Sequence, residues 1–293
     1  MGKVYLGNEE IRSLYIGSSE MLRVYLGDEI IYDRRVLDPS TQVLLEKAED
    51  LGYSTPINIY ALDDLIKGMK NIGMWGLLDV FYVFASDLGS YANFRLLNVV
   101  NPDKFNATGF GGLEWNSSGV KANGVNSYID TNYIPNLDAI KYRMYNASRG
   151  AVVNADAVGS SINNYLIDSS QEAAQTNALL NNSNIATIQN RINTTQSGGI
   201  KGNYTGLGLK IINRTSNVNF NSINKDLTES FNNTNATGIM NSTSQRLLRN
   251  NSSYSQIGLS CYFIGENIPY QTAQDFRFIF NNYLTEIGLT PIS

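Results

Sequence analysis

A chain of 293 residues without a single histidine has room for one large β domain with smaller additions, and it lacks the imidazole that Ser-His-Asp, Cys-His and histidine-ligated zinc chemistry require. Hydrophobic residues at 42% against charged residues at 16% describe a folding chain whose surface is solvated by Asn, Ser and Thr rather than by Lys and Glu. A net charge of −4 and the lack of any Lys/Arg-rich run exclude the basic field that a phosphate backbone needs, so no nucleic-acid partner is expected.

The amino-terminal stretch says one phrase three times at ten-residue spacing: Val4-Tyr5-Leu6-Gly7, Leu14-Tyr15-Ile16-Gly17 and Val24-Tyr25-Leu26-Gly27. Each copy is β-branched and aromatic, ends in Gly and runs into a polar pair, which reads as strand and turn repeated. So small a sheet buries too little apolar area to offset its ordering entropy, and its outer strands leave backbone groups unpaired. One reading completes it with other copies of the chain or a partner, making Tyr5, Leu6, Tyr15, Ile16, Tyr25 and Leu26 the assembly or anchoring residues of a segment spanning 1–35. The other packs it as a plain meander on the chain's own main domain. The first is preferred, because periods this short mark arrays or oligomers.

Asp38 followed by Pro39 opens a helix, in which Leu44, Lys47, Ala48 and Leu51 recur until Gly52 stops it. After Ser54-Thr55-Pro56 a second helix carries Leu62, Leu65, Ile66, Met69 and Ile72 on one face. Residues 36–72 read as a helical neck where chains associate, or equally as a pair packed on the neighbouring domain.

From Gly73 onward the pattern is β. Leu77 to Ala85 is an apolar strand interrupted by Asp79, and too short to span a bilayer. Further strands are expected near Tyr128–Asp130, Ile140–Tyr145, Ala151–Asn154, Ile185–Ile192, Leu207–Asn213, Val218–Asn224, Thr237–Met240 and Tyr254–Ile264. The single cysteine, Cys261, lies among Leu259, Tyr262 and Phe263 and belongs in a buried strand. Many short strands without long intervening helices predict a sandwich or jelly roll over 73–293. A last helix is expected to start on a Thr272/Asp275 capping box and to lay Phe276, Ile279, Phe280, Tyr283, Leu284 and Ile287 on the sandwich, closed by Gly288. The fold class expected is therefore mainly β: a short β-repeat, two helices, and a sandwich covered by a carboxy-terminal helix. No charged-then-apolar leader is seen at the amino end, so the product is expected to be made in a cytoplasm, with no membrane partner.

The run from Trp115 to Thr131, with its Asn123-Gly124 and Ser127-Tyr128-Ile129 phrases, resembles the early strands of concanavalin A-like, laminin G-like domains. Gln256-Ile257-Gly258 and Phe263-Ile264-Gly265 resemble the closing strand of the same fold. Gly73 to Tyr82, together with Asn101-Pro102, is similar to lectin-like modules in virion proteins of phages of Bacteroidetes, including the crAss-like group. The threefold opening resembles the amino ends of phage fibre and tail proteins. The resemblance implies a phage fibre, head-fibre or capsid-decoration protein, trimeric, located in the virion among other virion proteins. No cofactor or metal is expected; laminin G-like domains often hold calcium through Asp and carbonyl oxygens at the sheet rim, and Asp130 is the position to test for it, though no dense acidic loop supports it.

Glycosidases on the concanavalin-like fold use paired carboxylates, and their Glu-x-Asp-x-x-Glu pattern is absent here. Asp130, Asp138, Asp156 and Asp168 are scattered and Glu114 stands alone, so no catalytic residue is named and no enzyme is expected. Sugar binding fits better, since aromatic planes stack on pyranose rings and Asn offers donors and acceptors to hydroxyls. Trp115, Tyr128 and Tyr133 are the ligand-binding candidates, each with sandwich core as its competing role. The expected function is a structural virion protein displaying a lectin-like domain; the alternatives are an adhesin for host glycans and, behind it, a polysaccharide depolymerase.

Overall fold

In the computed structural model of the chain, residues 35–88, 93–155, 207–224, 240–250 and 253–292 are described continuously, together with the strands named below and positions 192–193 and 236. The chain divides into two units, Met1–Asp38 and Pro39–Ser293. The first contains three hairpins: β1 (Tyr5–Leu6) with β2 (Glu9–Glu10), β3 (Leu14–Ile16) with β4 (Ser19–Met21), and β5 (Arg23–Leu26) with β6 (Glu29–Asp33). Tyr5 stands opposite Glu10 and Tyr15 opposite Glu20, so each copy of the phrase closes on itself as an antiparallel ladder. The side chains of Tyr5, Leu6, Tyr15, Ile16, Tyr25 and Leu26 lie outside the described residues.

The second unit is mainly β and layered. Its larger sheet runs β17 (Leu227–Phe231), β16 (Phe220–Asn224), β15 (Gly208–Arg214), β12 (Ala147–Ala155), β21 (Gly258–Gly265), β10 (Gly119–Lys121) and β9 (Glu114–Asn116), with β7 (Leu78–Val83) also on β21. The smaller runs β14 (Ala178–Leu180), β13 (Leu166–Ser169), β18 (Arg246–Leu247), β11 (Tyr128–Asp130) and β8 (Thr108–Phe110), and a hairpin joins β19 (Arg249–Asn250) to β20 (Ser253–Tyr254). Pairing throughout is antiparallel. Helices α1 (Pro39–Asp50), α2 (Ile59–Asn71) and α4 (Tyr270–Glu286), with the one-turn α3 (Pro135–Asp138), complete the unit.

Strand periodicity divides the core in two. Along β7, Val80 and Tyr82 join Tyr262, Ile264, Ile129 and Leu247 in a cluster between the sheets. Phe81 and Val83 join Cys261, Phe263, Leu44, Leu62, Ile66 and Phe276 in a cluster between the larger sheet and the helices. The middle strands are buried on both faces, which explains their continuous apolar runs. Phe276 meets Phe81 and Phe263 edge-on, with centroids 6.0 and 5.7 Å away.

The expected sandwich with a carboxy-terminal helix is therefore present, and Cys261 is buried in β21. Residues 36–72 are not a separate neck: α1 and α2 share the apolar cluster of the sheet and α4, and the boundary lies at 38/39 rather than 72/73. Ile140 to Tyr145 is loop, apart from the isolated Arg143–Asn146 bridge, because the amides of residues 140–142 are taken by a carboxylate instead of a neighbouring strand. The carboxy-terminal helix starts at Tyr270, ahead of the expected capping box, and Asp275 accepts from the Gln271 side chain. Helix α2 is capped by Asn58, whose side chain accepts from the Ala61 amide. Most of 185–192 and 237–240 lies outside the described residues.

Candidate functional site

A cleft of about 400 Å³ opens in the second unit, lined by four segments that the fold brings together. The first is the end of α1. Gly52 takes φ +67 and the Tyr53 amide donates back to the Ala48 carbonyl at 2.8 Å, a left-handed C-terminal turn that only glycine adopts without strain; it delivers Tyr53 to the cleft wall. The second is a 3-10 turn over Asn93–Leu96. With three residues per turn, Asn93 and Leu96 fall on one edge, and both line the cleft.

The third segment is β8 and its glycine-rich exit. Thr108, Gly109 and Gly111 line the cleft with little side chain, so backbone groups form that rim. Gly111 is held at φ +70, and a Cβ there would stand 2.5 Å from the Asn126 carbonyl oxygen, so no other residue fits without moving the loop. That loop is knotted by Asn123, whose side-chain oxygen accepts from the amides of Val125, Asn126 and Ser127 and from the Ser127 hydroxyl. The fourth segment is the approach to β9, where Leu113 and Trp115, two apart on an extended chain, present the same face.

Trp115 forms the floor. Its half-buried indole meets Phe84 edge-on, with centroids 6.1 Å apart, and sits 5.7 Å from the guanidinium of Arg95. Arg95 is buried to 1% exposure and donates to the carbonyls of Phe84 and Asn116. Burial lowers its pKa to about 10, which leaves it protonated at neutral pH, so a fixed cation holds the ring by cation–π attraction. Among the described residues, none that lines the cleft carries a charge. The arrangement offers one large aromatic plane, a second ring from Tyr53, and neutral hydrogen-bonding groups around them.

Of the three ligand candidates from the sequence, only Trp115 lies in this cleft. Tyr133 is fully buried and is core, not ligand surface. Its hydroxyl donates to Asp79 at 3.0 Å, and burial, then the charge of Asp79, push its pKa far up. Asp79, the interruption of the first strand, also accepts from the amides of Ile140, Lys141 and Tyr142, and so pins the 140–142 loop under the sandwich. Tyr128 is on the smaller sheet. Its ring stacks on Phe110 at 4.6 Å and 8° and has the Arg249 guanidinium 4.4 Å away.

Asp130 does not suit calcium. One carboxylate oxygen accepts from Arg246 Nε at 3.1 Å and the other from the Asn132 amide at 3.0 Å. Among the described residues no group of three or more His, Cys, Asp or Glu stands together, whereas calcium takes six to eight oxygen ligands. Asp138 accepts from the Ile134 amide at the start of α3; Asp156 and the side chain of Asp168 lie outside the described residues.

Arg246 and Arg249 carry no sequence motif and become neighbours of one ring through a backbone device. Leu247 and Leu248 are both fully buried, which strict alternation forbids. Leu248 adopts φ +65, a left-handed conformation costing a leucine roughly 1–2 kcal/mol, and the chain resumes with Arg249 beside Tyr128, as Arg246 is at 5.4 Å.

No protein-family model and no curated protein matches the chain. Among solved structures it is similar to a Trypanosoma rangeli sialidase in complex with 2,3-difluoro-KDN, at 8% identity and TM-score 0.44, over 78% of this chain and 40% of that one. This chain thus spans less than half of the sialidase's length. It is also similar to domain 4 of AbnA, a GH43 extracellular arabinanase from Geobacillus stearothermophilus in complex with arabinotriose, at 12% identity and TM-score 0.45, over 68% and 98%. A third is the VIP36 exoplasmic/lumenal domain in its Ca2+/Man2-bound form, at 9% identity and TM-score 0.30, over 56% and 82%. The expectation that the chain is not an enzyme is not retained, since two of these neighbours bear enzyme names, sialidase and arabinanase. No residue role is taken over from them.

Proposed function

We propose that the second unit is a glycan-binding β-sandwich whose ligand seats in the Trp115 cleft. The observation that carries this reading is a half-buried indole, held by a buried arginine, in a cleft whose described lining is uncharged and includes Asn93, Thr108 and glycine backbone. Aromatic planes take the apolar face of a pyranose, and neutral donors and acceptors take its hydroxyls. The test is binding of the intact chain to an array of bacterial surface polysaccharides. Trp115→Ala is expected to weaken capture at least ~10-fold, the loss of one aromatic contact of about 1.4 kcal/mol, measured below the variant's own thermal midpoint because the ring also packs on Phe84 and Arg95. Capture of no polysaccharide, or equal capture by the variant, refutes the reading.

We further propose that residues 1–38 assemble the chain into a homo-oligomer, a trimer by preference, and anchor it among the virion proteins of a phage, so that the sandwich is displayed as a fibre or decoration. Support comes from the resemblance of the opening repeat and from its hairpins. Each is a two-stranded ladder with no pairing to another strand among the described residues, and two-stranded ladders are marginal alone.

A further inference from the structure

We propose that the cleft takes an acetamido sugar, a neutral pyranose whose N-acetyl group enters between the free edge of β8 and the leucines beside it; this rests on the cleft being a glycan site. Both sheets end here. Among the described strands β8 pairs only with β11, and β9 only with β10, so each has one side on which backbone N–H and C=O groups meet no other strand. Leu113 and Trp115 lie on the chain that crosses from one sheet to the other, and both line the cleft. Gly109 stands opposite the fully buried Ile129 and so faces inward, whereas Thr108, whose hydroxyl accepts from the Asn132 side chain at 3.1 Å, faces the other way with Phe110. A Cβ on Gly109 would stand 3.0 Å from Cδ1 of Leu113 and 3.9 Å from Cδ1 of Leu96. Bare strand backbone and two leucine methyls therefore meet on one wall of the cleft.

That wall selects the substituent. Leu96, Ala107 and Leu113 are half-buried and carry the apolar cluster between the sheets up to the cleft. A sugar hydroxyl laid on them would lose water without gaining a partner, while a methyl group gains by leaving water. Around them stand neutral donors and acceptors: the strand edge, the Asn93 amide, the Tyr53 hydroxyl and the Trp115 indole N–H. None of these three side chains makes a hydrogen bond within the described residues. An acetamido group matches both halves, because its N–H and C=O complement an unpaired strand edge as another strand would, and its methyl is attached to the same carbonyl carbon. A 6-deoxy sugar brings the methyl without the amide, and an unsubstituted hexose brings neither. An amino sugar or a uronate brings a charge for which no described lining residue is a counter-ion. At about 400 Å³ the cleft is at the small end of ligand sites, a fit for one ring at Trp115 and its substituent.

The experiment uses the intact chain with tetrasaccharide pairs that differ only in acetamido against hydroxyl: chitotetraose beside cellotetraose, and the N-acetylgalactosamine tetramer beside the galactose tetramer. Binding is followed by calorimetry and by saturation-transfer difference NMR. At least one acetamido member is expected to bind ~10-fold more tightly than its hydroxyl partner, with its acetyl methyl protons taking the largest share of the saturation. Gly109→Ala sets a methyl against Leu113 and presses that side chain into the slot, and Leu113→Ser removes the apolar half of the wall. Each should bring the acetamido member down to the affinity of its partner, while Trp115→Ala weakens both members. Thermal melts confirm that the variants are folded. Equal binding of the two members by the wild type, or a preference kept by both wall variants, overturns the acetamido assignment and leaves the glycan site standing. Displacement of the bound tetrasaccharide by acetyl-tetraalanine amide at equal concentration overturns it in favour of a peptide on the strand edge. If no tetrasaccharide binds, the inference falls, and the polysaccharide array separates the two readings: capture of a polymer without acetamido sugars keeps the glycan site, and capture of none removes it as well.

Discussion

Asp79 is the position where a single substitution should cost most for its size. Its carboxylate, 7% exposed, accepts from the Tyr133 hydroxyl at 3.0 Å and from the Lys141 and Tyr142 amides at 2.9 Å each, with Ile140 weaker at 3.3 Å. Hydrogen bonds to a charged group contribute about 1.5–3 kcal/mol each, so the three short ones give a gross gain of roughly 4.5–9 kcal/mol. Against this stands the several kcal/mol spent desolvating the carboxylate, which Asp79→Ala recovers. A net loss of about 3–4 kcal/mol is expected for Asp79→Ala. Asp79→Asn keeps one acceptor oxygen but turns an NH2 toward groups that are themselves donors, and should lose about 2–3 kcal/mol. Tyr133→Phe removes one donor and should lose about 1 kcal/mol. Urea denaturation of the three variants and of the Asp79→Ala/Tyr133→Phe double mutant measures these values, with a coupling near 1 kcal/mol between the two sites. Asp79→Ala within 1 kcal/mol of the wild type would refute the reasoning, since it would mean that water satisfies the loop as well as the carboxylate does.

Truncation separates the two units. A fragment beginning at Pro39 keeps the whole helix–sheet cluster and should be a folded monomer by light scattering, while the full chain is oligomeric; a full-length monomer at micromolar concentration removes self-assembly. A fragment beginning at Gly73 strips Leu44, Leu62, Leu65, Ile66 and Met69 from that cluster and should be insoluble or unfolded by near-ultraviolet circular dichroism. Alkaline stability follows from buried acids. Burial pushes up the Cys261 thiol and the hydroxyls of Tyr82, Tyr133 and Tyr283. The folded state therefore keeps protons that the unfolded chain releases, and the stability they contribute is full below the unfolded values and falls as pH rises through them. Decline should begin near pH ~8.5 with the thiol and steepen near pH ~10 with the tyrosines, at up to ~1.4 kcal/mol per pH unit for each group. Arg95 and Arg214, lowered by burial to about 10, have the opposite sign and offset part of the steeper phase. In urea titrations Cys261→Ala should remove the earlier decline; a midpoint unchanged up to pH ~11 would contradict this account.

The β class, the buried strand around Cys261, the Gly52 stop and the apolar stripe of the last helix were all legible in the chain, because each is a local pattern of period 2 or 3.6 closed by a turn residue. Trp115 was legible as an aromatic worth testing, though its part in a cleft was not. Tyr53, Asn93, Leu96 and Gly111 converge on it from across more than sixty residues of chain, and only packing brings them together. Tyr133 and Tyr128 look alike in sequence, each a tyrosine near a turn. Their fates diverged because Asp79, about fifty residues earlier, draws one hydroxyl into the interior, while the other ring pairs across a ladder with Phe110.

Composition and periodicity thus determined by themselves that this is a histidine-free, mainly β chain with a self-similar amino-terminal segment, since those properties depend on which residues are present and how they alternate. The tertiary structure alone decided that the helices belong to the sandwich, that Asp79 is an anchor, and that Arg246 and Arg249 meet at one ring. Each of these depends on contacts between residues distant in the chain, or on a backbone angle such as that of Leu248, and no local pattern encodes them.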